Sequence, residues 1–277
     1  MKKLMTMKKL IFMLLAALLA FSGCTKTTNG PGKLIVKVTD DPFNINFVES
    51  ATIIINKIEI RKSGQSDAIP FTVLSMDTLT FDLMKLRNGI TQEITNIDIP
   101  QGNYDLIRLY VDEASLKIKD QPVAYKVKVP SGSQTGIKLF ISPSITVAGG
   151  LTSELLLDFN LANSFVMRGN MDHSAGVNGF IFKPCIKVTN NSTAGRIEGM
   201  VTDSSRAILE NAKVWVKKDT VISTSFTDLT GHYAFIGVPS GTYSVFATKE
   251  NYDTVSYSGI NVIAGNRIIQ DFVLTKK

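Results

Sequence analysis

The chain has 277 residues, of which 44% are hydrophobic, 19% charged and 8% aromatic, and it contains 20 Gly and 9 Pro. This length suggests about two globular domains, and the composition excludes an intrinsically disordered or collagen-like chain. The formal net charge is +6, but four lysines lie in the first 23 residues, and without them 26 basic and 24 acidic residues leave +2. Because the remaining Lys and Arg alternate with Asp and Glu, the sequence predicts no nucleic-acid partner.

The N-terminus has the pattern of a signal peptide. Lysines begin the chain, an apolar stretch follows over residues 10–21, and the small residues Ser22 and Gly23 precede Cys24. The segment FSGC resembles the lipobox of bacterial lipoproteins, with Phe21 where that family usually has Leu. The resemblance implies cleavage before Cys24 and attachment of diacylglycerol to its thiol. The alternative is an ordinary secretory signal followed by a chance cysteine.

A lipid on Cys24 would determine where the protein lies. Each buried CH₂ contributes ~0.8 kcal/mol, so two or three acyl chains would hold the protein on a membrane. We therefore predict a lipid-anchored protein of the bacterial cell envelope, at the outer membrane, with the periplasmic or surface side left open. Residues 24–32 would form the lipidated cysteine and a polar tether, whose residues 25–32 span at most ~28 Å.

One further cysteine, Cys185, remains in the mature chain, within FIFKPCIKV. A single thiol cannot form an internal disulfide, so the core alone must stabilise the fold. The apolar flanks of Cys185 predict a buried packing residue rather than a reactive nucleophile.

From Lys33 onward, apolar residues recur at a spacing of two between turn signals, which is typical of half-buried strands. The apolar members should face the core, and in the first two strands they are Leu34, Val36, Val38, Ile54, Ile58 and Ile60. Helical periodicity is confined to short stretches at 83–87 and 161–166. Many short strands with Gly and Pro turns predict an antiparallel sandwich.

The region 33–189 also resembles a known family. Its segments LIVKVTDDP, TFDLMKLRNG, IPQGNYDLIRLYVDEA, KVPSGSQTGIKL and LLLDFN are similar to those of the DUF4382 domain of bacterial envelope lipoproteins. The molecular function of that family is not established. The resemblance therefore implies an architecture and a location but no chemistry.

A polar stretch, TNNSTA, predicts a linker at residues 190–194. Residues 195–277 contain GRIEGMVTD, NAKVWV and TSFTDLTGHYAFIGVPSGTYSVFATKENY, which resemble the carboxypeptidase regulatory-like domain. That resemblance implies a small transthyretin-like sandwich of seven strands. The predicted fold is thus all-β, with two antiparallel β-sandwich domains in tandem after a lipoprotein signal peptide at residues 1–23.

The sequence predicts no enzyme, no cofactor and no metal. A zinc peptidase needs imidazole and carboxylate ligands, whereas the two histidines, His173 and His232, begin no HxxE or HExxH pattern. A GxSxG motif is also missing. Acidic residues at strand ends could hold Ca²⁺, although Asp is equally common in turns, and this alternative stays open for Asp40, Asp41, Asp112, Glu113 and Asp158.

One predicted surface extends beyond the core pattern. If Val214 and Val216 face the core, their neighbours on the strand face outward, because successive side chains alternate. The same alternation places Phe246 outward. The candidate ligand or partner surface consists of Lys213, Trp215, Lys217 and Phe246. It suits stacking on a sugar ring, docking of another protein, or packing against the first domain.

Two functional hypotheses follow. The first is a non-catalytic, lipid-anchored cell-envelope protein that acts as a structural or interaction module. The second is a carbohydrate-binding envelope lipoprotein that uses the exposed aromatics of its C-terminal sandwich. The expected partners are a membrane, through the N-terminal lipid, and a glycan or another envelope protein.

Overall fold

The computed structural model describes residues 30–41, 47–127, 129, 134–169 and 177–277. The predicted signal peptide, Cys24 and His173 lie outside these residues. Within them, the regular structure is almost all β, as predicted, with 65% strand and 4% helix. No helix of the described residues is long and apolar enough to cross a membrane.

The N-terminal part of the chain forms two sheets and a hairpin. Its strands are β1 (Gly32–Asp41), β2 (Val48–Lys62), β3 (Thr72–Ser75), β4 (Leu79–Asp82), β5 (Gln92–Ile99), β6 (Gly102–Ile118), β7 (Tyr125–Val127), β8 (Ile137–Val147), β9 (Thr152–Asn160), β10 (Phe165–Gly169), β11 (Val177–Phe182) and β12 (Ile186–Asn190). A 3₁₀ turn (Leu83–Lys85) and the short helix α1 (Leu161–Ser164) occupy the two stretches with helical periodicity.

The first sheet has the order β12-β9-β1-β5, and the second has the order β3-β2-β6-β7, with β4 paired to β2 and β8 to β6. Strands β10 and β11 form the separate hairpin. The inner faces of the sheets enclose one hydrophobic cluster. The predicted core residues Leu34, Val36, Val38, Ile58 and Ile60 all belong to it and are 0% exposed.

The prediction for Ile54 is wrong. Its neighbours Ile53 and Ile55 are 0% exposed, whereas Ile54 is half-buried. Strand β2 shifts its register against β6 between Ile54 and Ile55, and again before Lys57. A β-bulge changes which residues face the core, so a strict spacing of two cannot be extended across it.

The C-terminal part forms a second sandwich. Its strands are β13 (Ala194–Asp203), β14 (Lys213–Lys217), β15 (Val221–Phe226), β16 (His232–Pro239), β17 (Gly241–Thr248), β18 (Val255–Val262), β19 (Arg267–Ile269) and β20 (Phe272–Leu274). One sheet has the order β16-β13-β19, with β20 also paired to β13, and the other has the order β15-β14-β17-β18. A separate hydrophobic cluster fills this sandwich.

The two sandwiches share one topology. The first strand of each, β1 or β13, pairs antiparallel with β5 or β16. It also pairs in parallel with strands from later in each sandwich, β9 in one and β19 and β20 in the other. The second strand, β2 or β14, starts the other sheet and pairs with β6 or β17, which pairs in turn with β8 or β18. Alternation of apolar residues did not predict these parallel pairs.

The same five-residue corner joins the two sheets in each sandwich, with the sequence PQGNY in one and PSGTY in the other. Gly102 and Gly241 have φ angles of 151° and 154°, a region that favours glycine. The hydroxyl of each tyrosine donates a hydrogen bond to the proline carbonyl four residues earlier, at 2.6 Å for Tyr104 and 2.7 Å for Tyr243. Burial raises the pKa of both tyrosines. A buried hydroxyl bonded to the backbone fixes this corner.

The connection between the sandwiches is short and held on both sides. Strand β12 ends at Asn190, a 3₁₀ turn follows (Asn191–Thr193), and β13 begins at Ala194. The hydroxyl of Ser192 accepts a hydrogen bond from the Glu154 amide at 2.7 Å. The hydroxyl of Ser240 donates to the Thr193 carbonyl at 3.2 Å.

The sandwiches also contact each other directly. Leu156 lies between two residues of the N-terminal core cluster and points away from it, yet it is 1% exposed. It lies against Gly237, where an added Cβ would be 2.7 Å from Leu156 Cδ2. Ser225 is 0% exposed, and its hydroxyl donates to Asn88 Oδ1 at 2.9 Å. Three of the four residues that make these contacts, Leu156, Gly237 and Ser225, are buried.

The prediction of a buried Cys185 is wrong, because its side chain is exposed. Its backbone is held instead: the Cys185 amide donates to Ser164 Oγ at 3.0 Å, and its carbonyl accepts from the Asn160 amide at 2.8 Å. Cys185 lies between β11 and β12, outside both strands. The apolar residues of the flanking strands therefore do not determine the direction of its side chain.

Candidate partner-binding surface

The candidate surface lies on the central strands of the sheet β15-β14-β17-β18. Val214 and Val216 on β14, and Val245 and Ala247 on β17, are all 0% exposed, so the predicted alternation is confirmed. Trp215 occupies the outer side and is half-buried. In the antiparallel register, Trp215 lies directly opposite Phe246.

The two aromatic rings form a parallel, offset stack. Their centroids are 5.1 Å apart and their planes differ by 5°. The ammonium group of Lys213 lies 5.6 Å from the centre of the Trp215 ring, within the range of a cation–π contact. We call Lys213, Trp215, Lys217 and Phe246 the aromatic face.

Polar side chains surround the aromatic face. Thr224 lies opposite Trp215 on β15, and Ser256 lies opposite Phe246 on β18. The Ser244 hydroxyl donates to Ser258 Oγ at 3.0 Å. Half-buried Phe226, opposite Lys213, extends the apolar part. Phe226 was not among the predicted residues, although alternation along β15 could have identified it.

The contact with the N-terminal sandwich is not on the side of the sheet that carries the aromatic face. Ser225, which contacts Asn88 of that sandwich, lies opposite Val214 and therefore on the core side of its sheet. Trp215 projects from the other side, because it follows Val214 on the strand. The contact between sandwiches and the aromatic face are thus on opposite sides of one sheet.

The corresponding face of the N-terminal sandwich, on β2 and β6, is covered around Glu59, whereas Phe140 on the neighbouring strand β8 projects from it and is 67% exposed. Glu59 is 7% exposed, forms a salt bridge with Lys57, and accepts a hydrogen bond from the Tyr110 hydroxyl at 2.8 Å. The Arg108 guanidinium lies 4.1 Å from the centre of the Phe71 ring, which covers this end of the face. Paired charges and a buried ring take the place of an open stack.

A cleft of about 270 Å³ lies between the two sandwiches. Its lining includes Lys37 and Glu154, which form a salt bridge at 2.6 Å, and Arg196, which pairs with Glu198. Burial alone would raise the pKa of Glu198, but the hydrogen bond from Arg267 and the charges of Arg196 and Arg267 outweigh it and lower the pKa. The charges lining the cleft are therefore neutralised within the protein.

Two of the remaining sequence candidates, His232 and Asp40, take part in hydrogen bonds that a backbone amide donates. His232 begins β16, and its amide donates to Asp228 Oδ1 at 3.0 Å. Asp40 Oδ1 accepts from the Leu161 amide at 3.2 Å, which gives this acidic strand end a structural contact. Among the residues that the structure describes, no three His, Cys, Asp or Glu side chains cluster as a metal site would require.

Together these features define a tandem β-sandwich protein with one open aromatic face. The family model of DUF4382, a domain of unknown function, matches residues 31–184. Because this match covers more than half of the chain, the protein belongs to that family. A carboxypeptidase regulatory-like domain matches residues 196–275. Neither family description names a catalytic activity.

No curated protein matches the chain. Among solved structures, it is similar to the TIE protein of Bacillus anthracis, with 14% identity and a TM-score of 0.26 over 89% of this chain and 34% of that one. The shaft pilin spaA of Lactobacillus rhamnosus GG has 10% identity and a TM-score of 0.27, over 89% of this chain and 98% of the pilin. Catechol 1,2-dioxygenase of Acinetobacter radioresistens has 15% identity and a TM-score of 0.24, over 31% of this chain and 53% of the enzyme. TM-scores this low carry no functional argument.

Proposed function

We propose that this protein is a non-catalytic, lipid-anchored module of the bacterial cell envelope that binds a partner through its aromatic face. The observation that carries the proposal is the Trp215–Phe246 stack, which is half-buried at the centre of an outer sheet surface. The corresponding surface of the other sandwich carries paired charges around Glu59, the buried ring of Phe71 and the single exposed ring of Phe140. Of these two faces, the C-terminal one therefore carries the stacked aromatic pair.

The core does not require aromatic residues at these positions. Val214, Val216, Val245 and Ala247 already fill the inner side of the two strands. Aromatic side chains that remain accessible on a rigid sheet are typical of interaction sites, since their burial by a partner contributes much of the binding energy.

Carbohydrate binding is the second candidate, and the composition of the surface favours it. The exposed ring surface of the stack is surrounded by the hydroxyls of Thr224, Ser244, Ser256 and Ser258. Flat aromatic surface takes the apolar side of a pyranose ring, and neighbouring hydroxyls can both donate to and accept from sugar hydroxyls.

The lipid anchor is tested at Cys24. An alkyne fatty acid should label the wild-type protein, and the Cys24→Ala variant should lose both the label and its place in the membrane fraction. Cys185→Ala is the matched control, because Cys185 is the other cysteine of the chain, and this variant should keep the label. Labelling that persists in Cys24→Ala would refute the anchor.

The accessibility of the aromatic face is tested by the fluorescence of Trp215, the sole Trp. We expect iodide to quench it in the full chain and equally in a fragment of residues 194–277, because the contact between sandwiches is on the other side of the sheet. The exposed-ring variant Phe140→Ala, with Phe140 67% exposed on the N-terminal sandwich, should quench like the wild type. Emission that iodide leaves unchanged would show a covered Trp215 and remove the proposed surface.

A further inference from the structure

The charged groups of the aromatic face all have one sign. Lys213 and Lys217 are exposed, and the residues beside them on β15, β17 and β18 are uncharged: Thr, Ser, Phe and, opposite Lys217, the exposed Val221. No salt bridge among the described residues includes either lysine. The face therefore presents positive charge that no carboxylate of the described residues pairs in a salt bridge, and Lys213 has only the cation–π contact with Trp215.

On the corresponding face of the N-terminal sandwich, the charged side chains form salt bridges with each other. There Lys57 pairs with Glu59, and Arg61 pairs with Asp105 at 3.0 Å and with Asp67 at 2.7 Å. Lysines on the open face have no such acidic neighbours across the strands. This difference indicates that the negative charge is supplied by a partner.

The spacing of the two lysines matches an extended partner. Lys213 and Lys217 are four residues apart on one strand, which places their Cα atoms about 13 Å apart. Trp215 lies midway between them, stacked on Phe246. A chain that crosses this row would meet a cation, an aromatic surface and a second cation in sequence.

We propose that the aromatic face binds an acidic polysaccharide that contains uronic acids. A pyranose ring stacks on the accessible surface of Trp215 and Phe246, the carboxylates of neighbouring sugar units pair with Lys213 and Lys217, and the Ser and Thr hydroxyls bind sugar hydroxyls. This proposal rests on the carbohydrate-binding candidate above. The hydroxyl-rich surroundings favour a glycan over an acidic peptide, whose interfaces use a broader apolar centre.

The test titrates the full chain with polygalacturonate, alginate and hyaluronate and records the fluorescence of Trp215. Fully methyl-esterified polygalacturonate is the matched neutral probe, because it keeps the sugar ring and removes the charge. We expect a fluorescence change with at least one acidic polymer, weakened by added salt, and a much smaller change with the neutral ester.

Variants assign the binding to residues. Lys213→Gln and Lys217→Gln should each weaken binding about two- to fivefold, as for an exposed ion pair. Phe246→Ala should weaken it about tenfold through the lost stacking. The single variants Lys183→Gln and Lys187→Gln each remove one charge from an exposed lysine of the N-terminal sandwich, and they should bind like the wild type.

Three other results of the titration would each contradict a different part of the proposal. Equal binding of the neutral ester would end the proposal for an acidic glycan and leave carbohydrate binding standing. Equal binding of poly-glutamate, with displacement of the polysaccharide, would show that the face takes polyanions in general. Failure of every polysaccharide to change Trp215 fluorescence would refute both the acidic glycan and carbohydrate binding.

Discussion

The two sandwiches of this protein share a framework and differ in the surface it carries. Each has the same order of pairings and the same Pro-x-Gly-x-Tyr corner, with almost equal hydrogen bonds from Tyr104 and Tyr243. On the outer side of the second sheet, however, Glu59 is buried under paired charges in one sandwich, and Trp215 remains accessible in the other. The framework thus determines where a surface lies but not what it binds.

The sandwiches also differ in what they contribute to their contact. Each encloses its own hydrophobic cluster, and the contact uses buried residues outside both clusters. The N-terminal sandwich contributes Leu156. The C-terminal sandwich contributes Ser225 and Ala234, which is 5% exposed and whose Cβ would lie 3.1 Å from a Cβ added at Gly89. Two units with separate cores are therefore joined by buried contacts, and substitutions can test whether they unfold separately.

The largest expected effect is at this interface. Leu156→Ala removes a side chain that is 1% exposed and should lower the free energy of unfolding by about 2–4 kcal/mol, the range for a buried leucine. Thermal unfolding of this variant should then show one transition for each sandwich, at melting temperatures further apart than in the wild type. Leu151→Ala is the matched control, because Leu151 is 64% exposed and its loss should change little.

An isolated fragment of residues 194–277 completes this test. Its separate core predicts a cooperative thermal transition, at a lower temperature than in the full chain because the interface is missing. An unfolded fragment would show that the C-terminal sandwich depends on its neighbour, and the comparison of two independent cores would fail.

The next largest effect is at the shared corners. Gly102→Ala and Gly241→Ala force an L side chain into the positive-φ region and should each destabilise the protein by about 1–3 kcal/mol. The added Cβ at Gly102 would also meet the flexible stem of Lys62 at 2.7 Å. Gly30→Ala, where nothing lies within 4 Å of an added Cβ, should be neutral. Unequal losses measured by chemical denaturation, with one corner unaffected, would show that the two corners are not equivalent in energy.

Strand alternation predicted the C-terminal face well, because β14 pairs with β17 without a register shift and Trp215 therefore follows the simple pattern. It failed at Ile54, where a bulge interrupts β2. The contact of Arg108 with the Phe71 ring on the N-terminal sandwich could not be predicted, since the two residues are far apart along the chain and meet only in the fold. The hydrogen bond from Ser225 to Asn88 joins residues 137 positions apart, beyond the reach of any local pattern.

The smallest effect concerns a charge cluster on the first strand of the C-terminal sandwich, where Glu198 is 1% exposed and pairs with Arg196 and Arg267. The pKa of Glu198 is lowered from its ordinary value of 4.5, so its ionised form stabilises the fold above that pH. This stabilisation is lost as the pH falls through the lowered pKa of the folded state. The wild type should therefore lose melting temperature below pH 4.5 more steeply than Glu198→Gln. Near neutral pH, the free energies of unfolding of the wild type and Glu198→Gln should differ by about 1 kcal/mol or less, because both arginines are partly exposed.

Glu250→Gln, at an exposed position, is the control, and its melting temperature should fall with pH as steeply as that of the wild type. Parallel pH profiles for the wild type and Glu198→Gln would show that the arginines do not stabilise the ionised carboxylate in the fold.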